Sequence, residues 1–486
     1  MLTQTNTLYA FEPDGFEELA NLSLCLTAPA PDEDNPVVPV GAPGEPDEAK
    51  LCYTASVERW GDGFGMWYQA QDRQRRLTRC FASSPDGFQW RRRGVIGEGR
   101  FNTIGNSFNV FNDGERFLAP LTCLGTDASV EAPYHALRPE DVPDERRRAV
   151  VEKTMAQSGR CGVPTFIGVA TSEDGLRWEL PVPTPRIPMM LEAPWMVRFQ
   201  GRYIMNAQTH GNWFDPPVPG SRRVAFFTSD DLVHWEAHTE YMKNTAHEAI
   251  LGMTHVGIVP VKCIDDRLLI GVGGRFDDGP ELPCQHFEAT LLYSTNGLDW
   301  RPVVPEHERR NWIRRGRPGQ WDFGGVSGMG MVERGDEAAV YYAATAVGNG
   351  SHAYPSHDPG PCQVGRVCFR RDRFAALQPK VGWKAIFANA QAAGAKGVAT
   401  TRPIERSRDR LLALNVDIPA SCGAAVRVDM ISPDGSQIDT ATVTEGGVAV
   451  PVAFAQPPPD EPVRLRLTLT GGVAPDRVPR LFAIEY

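Results

Sequence analysis

The chain has 486 residues, 42% hydrophobic and 23% charged, ordinary values for a packed globular protein with more than one domain. A formal net charge of -10 speaks against a nucleic-acid or anionic-membrane partner, since both select a basic face. No stretch reaches the ~18 apolar residues of a membrane span, and Met1 to Cys25 lacks the basic and apolar regions of a secretory signal, so a cytoplasmic protein is the expectation.

In chain order, residues 1–44 read as an N-terminal extension. From residue 45 a turn recurs: Ser84-Pro85-Asp86-Gly87 with Trp90, Ser172-Glu173-Asp174-Gly175 with Trp178, Ser229-Asp230-Asp231 with Trp235, and Ser294-Thr295-Asn296-Gly297 with Trp300. Asp-Gly and Asn-Gly favour tight turns, and a Trp just beyond can pack back under the hairpin. Each turn follows a β-like run, and each unit carries two more such runs upstream, which makes four strands per unit, the content of a propeller blade. Five units are expected: about Leu51–Arg92, Asn106–Leu180, Glu192–His238, Thr254–Val303 and Gly325–Leu377, the last without the Trp turn. Unit two contains an insertion, Thr126 to Gly162, too long for an ordinary connection; it is expected to cover the mouth of the channel or to contact a second subunit of a homo-oligomer. Ala388 to Ala399 loses the strand pattern. Six short alternating runs then follow from Leu411 to Tyr486, the pattern of a sandwich. The expected fold is therefore all-β, a five-bladed β-propeller over 45–383 followed by a C-terminal β-sandwich over 384–486.

The start of each innermost strand lies at one mouth of a propeller channel. Those positions carry Asp47 and Glu48, Asn106, Glu192, His255 with His247 and Glu248 upstream, and Asp322. Carboxyls gathered at one place raise one another's pKa, which suits general acid/base work on a glycosidic bond. Trp195, Trp213 and Trp321 are candidates to stack on sugar rings. His210 and Arg275 are further candidates for the substrate, with pairing of Arg275 to Asp277 as its structural alternative. Ten scattered cysteines without a Cys-x-x-Cys spacing, and dispersed His and Asp, give no metal site; no cofactor is expected.

The repeated units, the trailing sandwich and the acid placement resemble the five-bladed glycoside hydrolases of the invertase/fructanase and arabinanase type, families 32, 43 and 68. The resemblance implies a carbohydrate substrate, with Asp47 as nucleophile or base, Glu192 as the orienting acid and Glu248 as the general acid; Asp322, by its position before the fifth unit's inner strand, is expected close enough to bind substrate or replace one of them. The local motifs differ: Gly44-Glu45-Pro46-Asp47-Glu48 stands where the invertase signature would be, and Leu191-Glu192-Ala193-Pro194 and Ala246-His247-Glu248-Ala249 replace the other two. Two alternatives stay open. One is a glycan-binding propeller without catalysis. The other is a sialidase-like enzyme, although the Gly follows the Asp directly here and five units are counted.

Overall fold

The computed structural model describes residues 6–74, 76–97, 108–122, 139–141, 145, 148–149, 152–153, 156, 166–179, 192–209, 223–238, 253–277, 286–304, 311–348, 361–381, 394–405, 411–420, 423–457, 459 and 461–486. Side chains at strand positions 52–54, 122, 166–168, 192, 223, 253–256 and 276–277 fall outside that description. The fold is all-β. Only scattered residues of the insertion are described, and these are helical, at Pro139–Asp141 and at positions such as Arg148 and Ala149.

Four antiparallel sheets follow one another along the chain, each laid down in sequence order. The first runs Lys50–Trp60, Gly63–Gln71, Leu77–Ser84, Arg91–Val95. The second runs Phe111–Asn112, Phe117–Thr122, Phe166–Ser172, with Glu179 bridged to Thr171 at its outer edge. The third runs Glu192–Phe199, Arg202–Thr209, Arg223–Ser229, Glu236–His238, and the fourth Met253–Ile264, Leu268–Asp277, Phe287–Ser294, Arg301–Pro302. Phe287 pairs in parallel with Gly325, so the same eight-stranded sheet continues into a fifth set of strands, here called the fifth sheet, Gly325–Arg334, Glu337–Thr345 and Cys362–Arg370, whose outer strand is Ala30–Pro31 from early in the chain. Val38 extends the same edge by bridging to Val364.

Second strands such as Glu337–Thr345 are buried at every position but the first, because both faces of each sheet are covered. The cores between sheets follow a ring. Trp67 and Phe81 of the first sheet pack with Phe108 and Leu121 of the second. Leu118 and Val169 pack with Met205 and Phe227, and Val197 and Phe226 with Ile258 and Leu292. Ile270 and Leu291 then meet Val326 and Val340, and Met329 and Val364 return to Val57 and Met66 of the first sheet. The innermost strands are stitched by side chains: Ser56 Oγ accepts from the Val110 N–H (2.8 Å), and Asn109 Nδ2 donates to the Pro194 carbonyl (2.7 Å). Asn206 both donates to and accepts from the backbone of Ile258 (2.8 and 2.9 Å).

The four Trp turns share one construction. In the second, the Gly175 N–H donates to Ser172 Oγ (2.8 Å), and Asp174 Oδ1 accepts from the N–H groups of Leu176 (2.8 Å) and Arg177 (2.7 Å). Trp178, Trp235 and Trp300 each donate Nε1–H to the carbonyl three residues back, at 3.1, 3.2 and 2.9 Å. Trp90 instead donates to the Tyr341 hydroxyl (2.9 Å) across the junction of the fifth and first sheets. Gly175 has φ 74°, and a Cβ there would lie 2.8 Å from Cζ2 of Trp67, whose own N–H is tied to the Gly175 carbonyl. Gly175→Ala is expected to cost about 2–3 kcal/mol in urea unfolding, left-handed strain adding to a clash that a buried indole cannot relieve.

The remaining strands form two packed sheets. One contains Gly447–Pro451, Ala413–Asp417, Arg480–Glu485, Ala375–Pro379 and Leu22–Leu26, with Thr7–Tyr9 also on Arg480–Glu485. The other contains Phe16–Ala20, Ala395–Thr401, Arg464–Gly471, Ala425–Ile431 and Gln437–Val443. Leu414, Leu467, Leu469 and Ile484 are among the fully buried residues between them. Three sequence expectations are corrected here. Residues 7–26 are not an extension but three strands of these sheets. Ala375–Pro379 pairs with Leu22–Leu26 rather than ending the fifth unit, and Ala395–Thr401 is a strand in a stretch read as patternless. Strand propensity is local, whereas the partner that decides where a strand goes lies some 350 to 480 residues away here, as for Leu24 with Leu377 and Thr7 with Glu485.

Candidate functional site at the channel mouth

The five innermost strands enclose one cavity of about 160 Å³, to which the five sheets contribute Val57 and Glu58, Asn109 to Phe111, Trp195 to Val197, Val259 to Cys263, and Met329 to Met331. The stitches Ser56–Val110 and Asn109–Pro194 tie each innermost segment to the next around the channel, and the chain enters each first strand from one end. That end is the mouth. At the opposite end Lys262 Nζ binds Glu333 Oε1 (2.5 Å) and Asp372 Oδ1 (2.6 Å), and the Tyr9 hydroxyl donates to the same Asp372 oxygen (2.5 Å). Glu12 pairs with Arg267 beside it. The N-terminal segment and the first residues after the fifth sheet therefore close the foot of the channel.

At the mouth Asp47 precedes the first strand of the first sheet. It is 2% exposed, accepts from the Tyr68 hydroxyl (3.3 Å), and pairs with Arg92 Nε (3.2 Å). Burial pushes its carboxyl up, with Arg92 opposing in part. Tyr68 and Arg92, from two other strands of the first sheet, enclose the carboxyl that the Gly/Pro loop carries. Glu48 accepts from the Gly44 N–H (2.8 Å) and the Arg73 N–H (3.3 Å), which hold it below the usual carboxylate range.

Asp322 precedes the first strand of the fifth sheet, half-buried, and accepts from the Tyr342 hydroxyl (3.4 Å). Burial pushes it up, while the Tyr342 hydroxyl and the Gly316 N–H oppose. Trp321 stacks on Tyr342, centroids 5.8 Å apart at 17°, and stays partly exposed. Trp195 lies in the channel wall, 8% exposed. Arg275 pairs in register with His255 on one side and Glu288 on the other, near the mouth end of the fourth sheet. Arg315 donates to Glu288 Oε1 (3.3 Å) and to the Phe323 carbonyl (2.9 Å), joining that sheet to the loop of Asp322.

Among the described residues, no hydrogen bond or ion pair joins Asp47 to Asp322. Asn106, His210, Trp213, His247 and Glu248 lie outside the described residues, as do the side chains of Glu192 and His255; the Glu192 backbone opens the first strand of the third sheet, opposite Gln208. Sequence reading passed over Glu58, Tyr68, Arg92, Glu288, Arg315 and Tyr342. Tyr68 and Tyr342 carry a usable signal, since each is the sixth residue of its sheet's second strand, in the sheets whose rim loops hold Asp47 and Asp322.

No family model matches the chain, and no curated protein matches it. Among solved structures the chain is similar to a glycoside hydrolase at 12% identity, over 71% of this chain and 92% of that one, with a TM-score of 0.45. It is also similar to a thermostable family-43 glycoside hydrolase (11% identity, 68% and 92% covered, TM-score 0.43) and to a family-32 β-fructofuranosidase of Bombyx mori (9% identity, 93% and 94% covered, TM-score 0.40). All three alignments fall below a TM-score of 0.5, so the functional reading rests on the chain's own residues.

Proposed function

We propose that the chain is a five-bladed β-propeller with a C-terminal β-sandwich, and that it cleaves glycosidic bonds at the channel mouth, acting on a furanoside or a small oligosaccharide. One observation supports this above the others: first strands of five sheets line a single channel, and Asp47 and Asp322 precede two of them at the rim, the sequence carrying Glu192 and Glu248 shortly before or at the start of two others. Hydrolysis of an acetal needs one protonated and one ionised carboxyl across the scissile bond. Asp47 is engaged by Tyr68 and Arg92 and Asp322 by Tyr342, which leaves Glu192 and Glu248 as the pair assigned to react. Glu248 is assigned the acid role, because apolar Ala249 to Leu251 follow it, neighbours that favour the neutral carboxyl. Arg275 and Trp321 are assigned to the substrate, one as a donor to hydroxyls and the other as a stacking surface.

The engagement of Asp47 and Asp322 also favours a second reading, a propeller that binds glycans without cleaving them. A panel of nitrophenyl furanosides and pyranosides separates the two. Turnover by the wild type is expected, and Glu248→Gln is expected to lower kcat by about 10²–10⁴-fold on substrates with poor leaving groups. Binding of oligosaccharides without turnover of any panel member would establish the second reading.

A further inference from the structure

The loops before the first and fifth sheets are the same device built twice. Gly41-Ala42-Pro43-Gly44-Glu45-Pro46-Asp47 and Gly316-Arg317-Pro318-Gly319-Gln320-Trp321-Asp322 share the pattern Gly-x-Pro-Gly-(Glu/Gln)-x-Asp. Gly44 and Gly319 have φ of 92° and 90°. The N–H of Glu45 donates to the Ala42 carbonyl and that of Gln320 to the Arg317 carbonyl, at 3.0 and 2.9 Å. The Glu45 and Gln320 side chains then reach back to the N–H of Ala42 and of Arg317, at 2.8 and 2.6 Å. Gly41 N–H and Gly316 N–H donate to the carbonyls of Asp47 and Asp322, closing each loop.

The aspartates fit the same slot. A Cβ on Gly41 would stand 2.1 Å from Asp47 Oδ1, and one on Gly316 would stand 2.0 Å from Asp322 Oδ1. Each second oxygen takes a tyrosine hydroxyl, from Tyr68 and from Tyr342. In register Tyr68 faces Ala55 and Tyr342 faces Gly328, eight and six residues beyond their aspartates; the irregularity between Leu51 and Ala55 absorbs the extra two. The exposed residues coincide as well, 42–45 in one loop and 317–320 in the other.

We propose that Asp47 and Asp322 are a matched pair of positioning residues, each locking a rim loop through its tyrosine and its glycine cradle, and that the second lock holds Trp321 against Tyr342 as the sugar-stacking surface. The role of Trp321 rests on the glycosidase reading; the lock itself does not. Asparagine is the conservative replacement at 322, because a tyrosine hydroxyl accepts from an amide as readily as it donates to a carboxylate. Alanine empties the slot.

The test uses the full chain with Asp322→Asn, Asp322→Ala and Tyr342→Phe. Amide exchange followed by mass spectrometry over 311–325 reads the lock without any substrate: Asn is expected to keep the wild-type rates, while Ala and Tyr342→Phe exchange about tenfold faster in that peptide alone. Equal exchange in Asp322→Ala and wild type overturns the lock. On a turned-over glycoside, Asp322→Asn is expected to keep kcat within about tenfold and Asp322→Ala to raise KM most. A loss of about 10³-fold in kcat for Asp322→Asn marks a reacting carboxyl and overturns the positioning role. If no glycoside is turned over, the function proposed above fails, while the exchange result still decides the lock.

Discussion

Asp32→Ala is expected to cost about 3–5 kcal/mol, read as a shift of the urea midpoint with the unfolding slope unchanged. Asp32 follows the strand that the N-terminal segment adds to the fifth sheet, and it meets Arg366 through Nε at 2.9 Å and Nη2 at 2.6 Å. The guanidinium is not free to find water in its absence. Its side chain is 5% exposed, Nη1 donates to the Phe88 carbonyl of the first Trp turn (2.7 Å), and the plane lies 4.6 Å from the Phe88 ring centre. One aspartate from near residue 30, one arginine from the fifth sheet and one turn of the first sheet thus meet where the ring closes. Removing the carboxylate strands a buried cation. Removing both charges with Asp32→Ala and Arg366→Leu together is expected to cost less than the sum of the two single changes, because the stranded cation goes with its partner. A double variant no better than additive would show that the two side chains act independently.

The second large effect depends on pH. Glu58 lines the channel among Val57, Val110, Met196, Val259 and Met331, and burial alone pushes its carboxyl up from 4.5 to about 8. Lys262 lines the same cavity, but its ammonium is held by Glu333 and Asp372 at the foot. In the unfolded chain Glu58 ionises near its ordinary value, so between that value and about 8 the native state holds a proton that the unfolded state has lost. Stability then falls as pH rises through this window, the direction expected of an acid whose folded pKa is raised. Glu58→Gln removes the titration and keeps the shape. The variant is expected to match the wild type near pH 4.5 and to exceed it increasingly towards pH 8 in urea unfolding. Parallel stability curves for the two proteins across that range would place Glu58 in contact with bulk water instead.

Much of this architecture is legible in the residues. The Ser-x-Asp turns are short and local, and the hydrogen bonds that make them involve groups two or three positions apart, so the pattern Ser172-Asp174-Gly175-Trp178 reports its own geometry. The rim loops are equally local, and Gly-x-Pro-Gly-x-x-Asp is visible twice; a search paced by the Trp turns passes over it because its copies stand 275 positions apart, from Gly41 to Gly316. What the residues do not disclose is destination. Ala395–Thr401, with Lys396 and Gly397 in it, lacks an apolar alternation, yet it sits between Phe16–Ala20 and Arg464–Gly471, where its neighbours supply the order. Asp47 shows the same limit at the site. Gly, Pro and two glutamates around it read as an open loop, and only the arrival of Tyr68 and Arg92 from two other strands encloses the carboxyl.

The pairing of Thr7–Tyr9 with Arg480–Glu485, and of Phe16–Ala20 with Ala395–Thr401, sets a timetable for the chain on the ribosome. At roughly 5–20 residues per second, these first strands leave the exit tunnel about twenty seconds to a minute and a half before the last of their partners has been made. Until Ala375–Pro379 emerges, Leu22–Leu26, apolar at four of its five positions, has no edge to join, whereas Glu17 and Glu18 mark the strand just before it with charge. The Trp-turn hairpins can form as they emerge. The ring closes only once Cys362–Arg370 is available to Ala30–Pro31, and the sandwich only once Arg480–Glu485 is available to Thr7–Tyr9 and Ala413–Asp417.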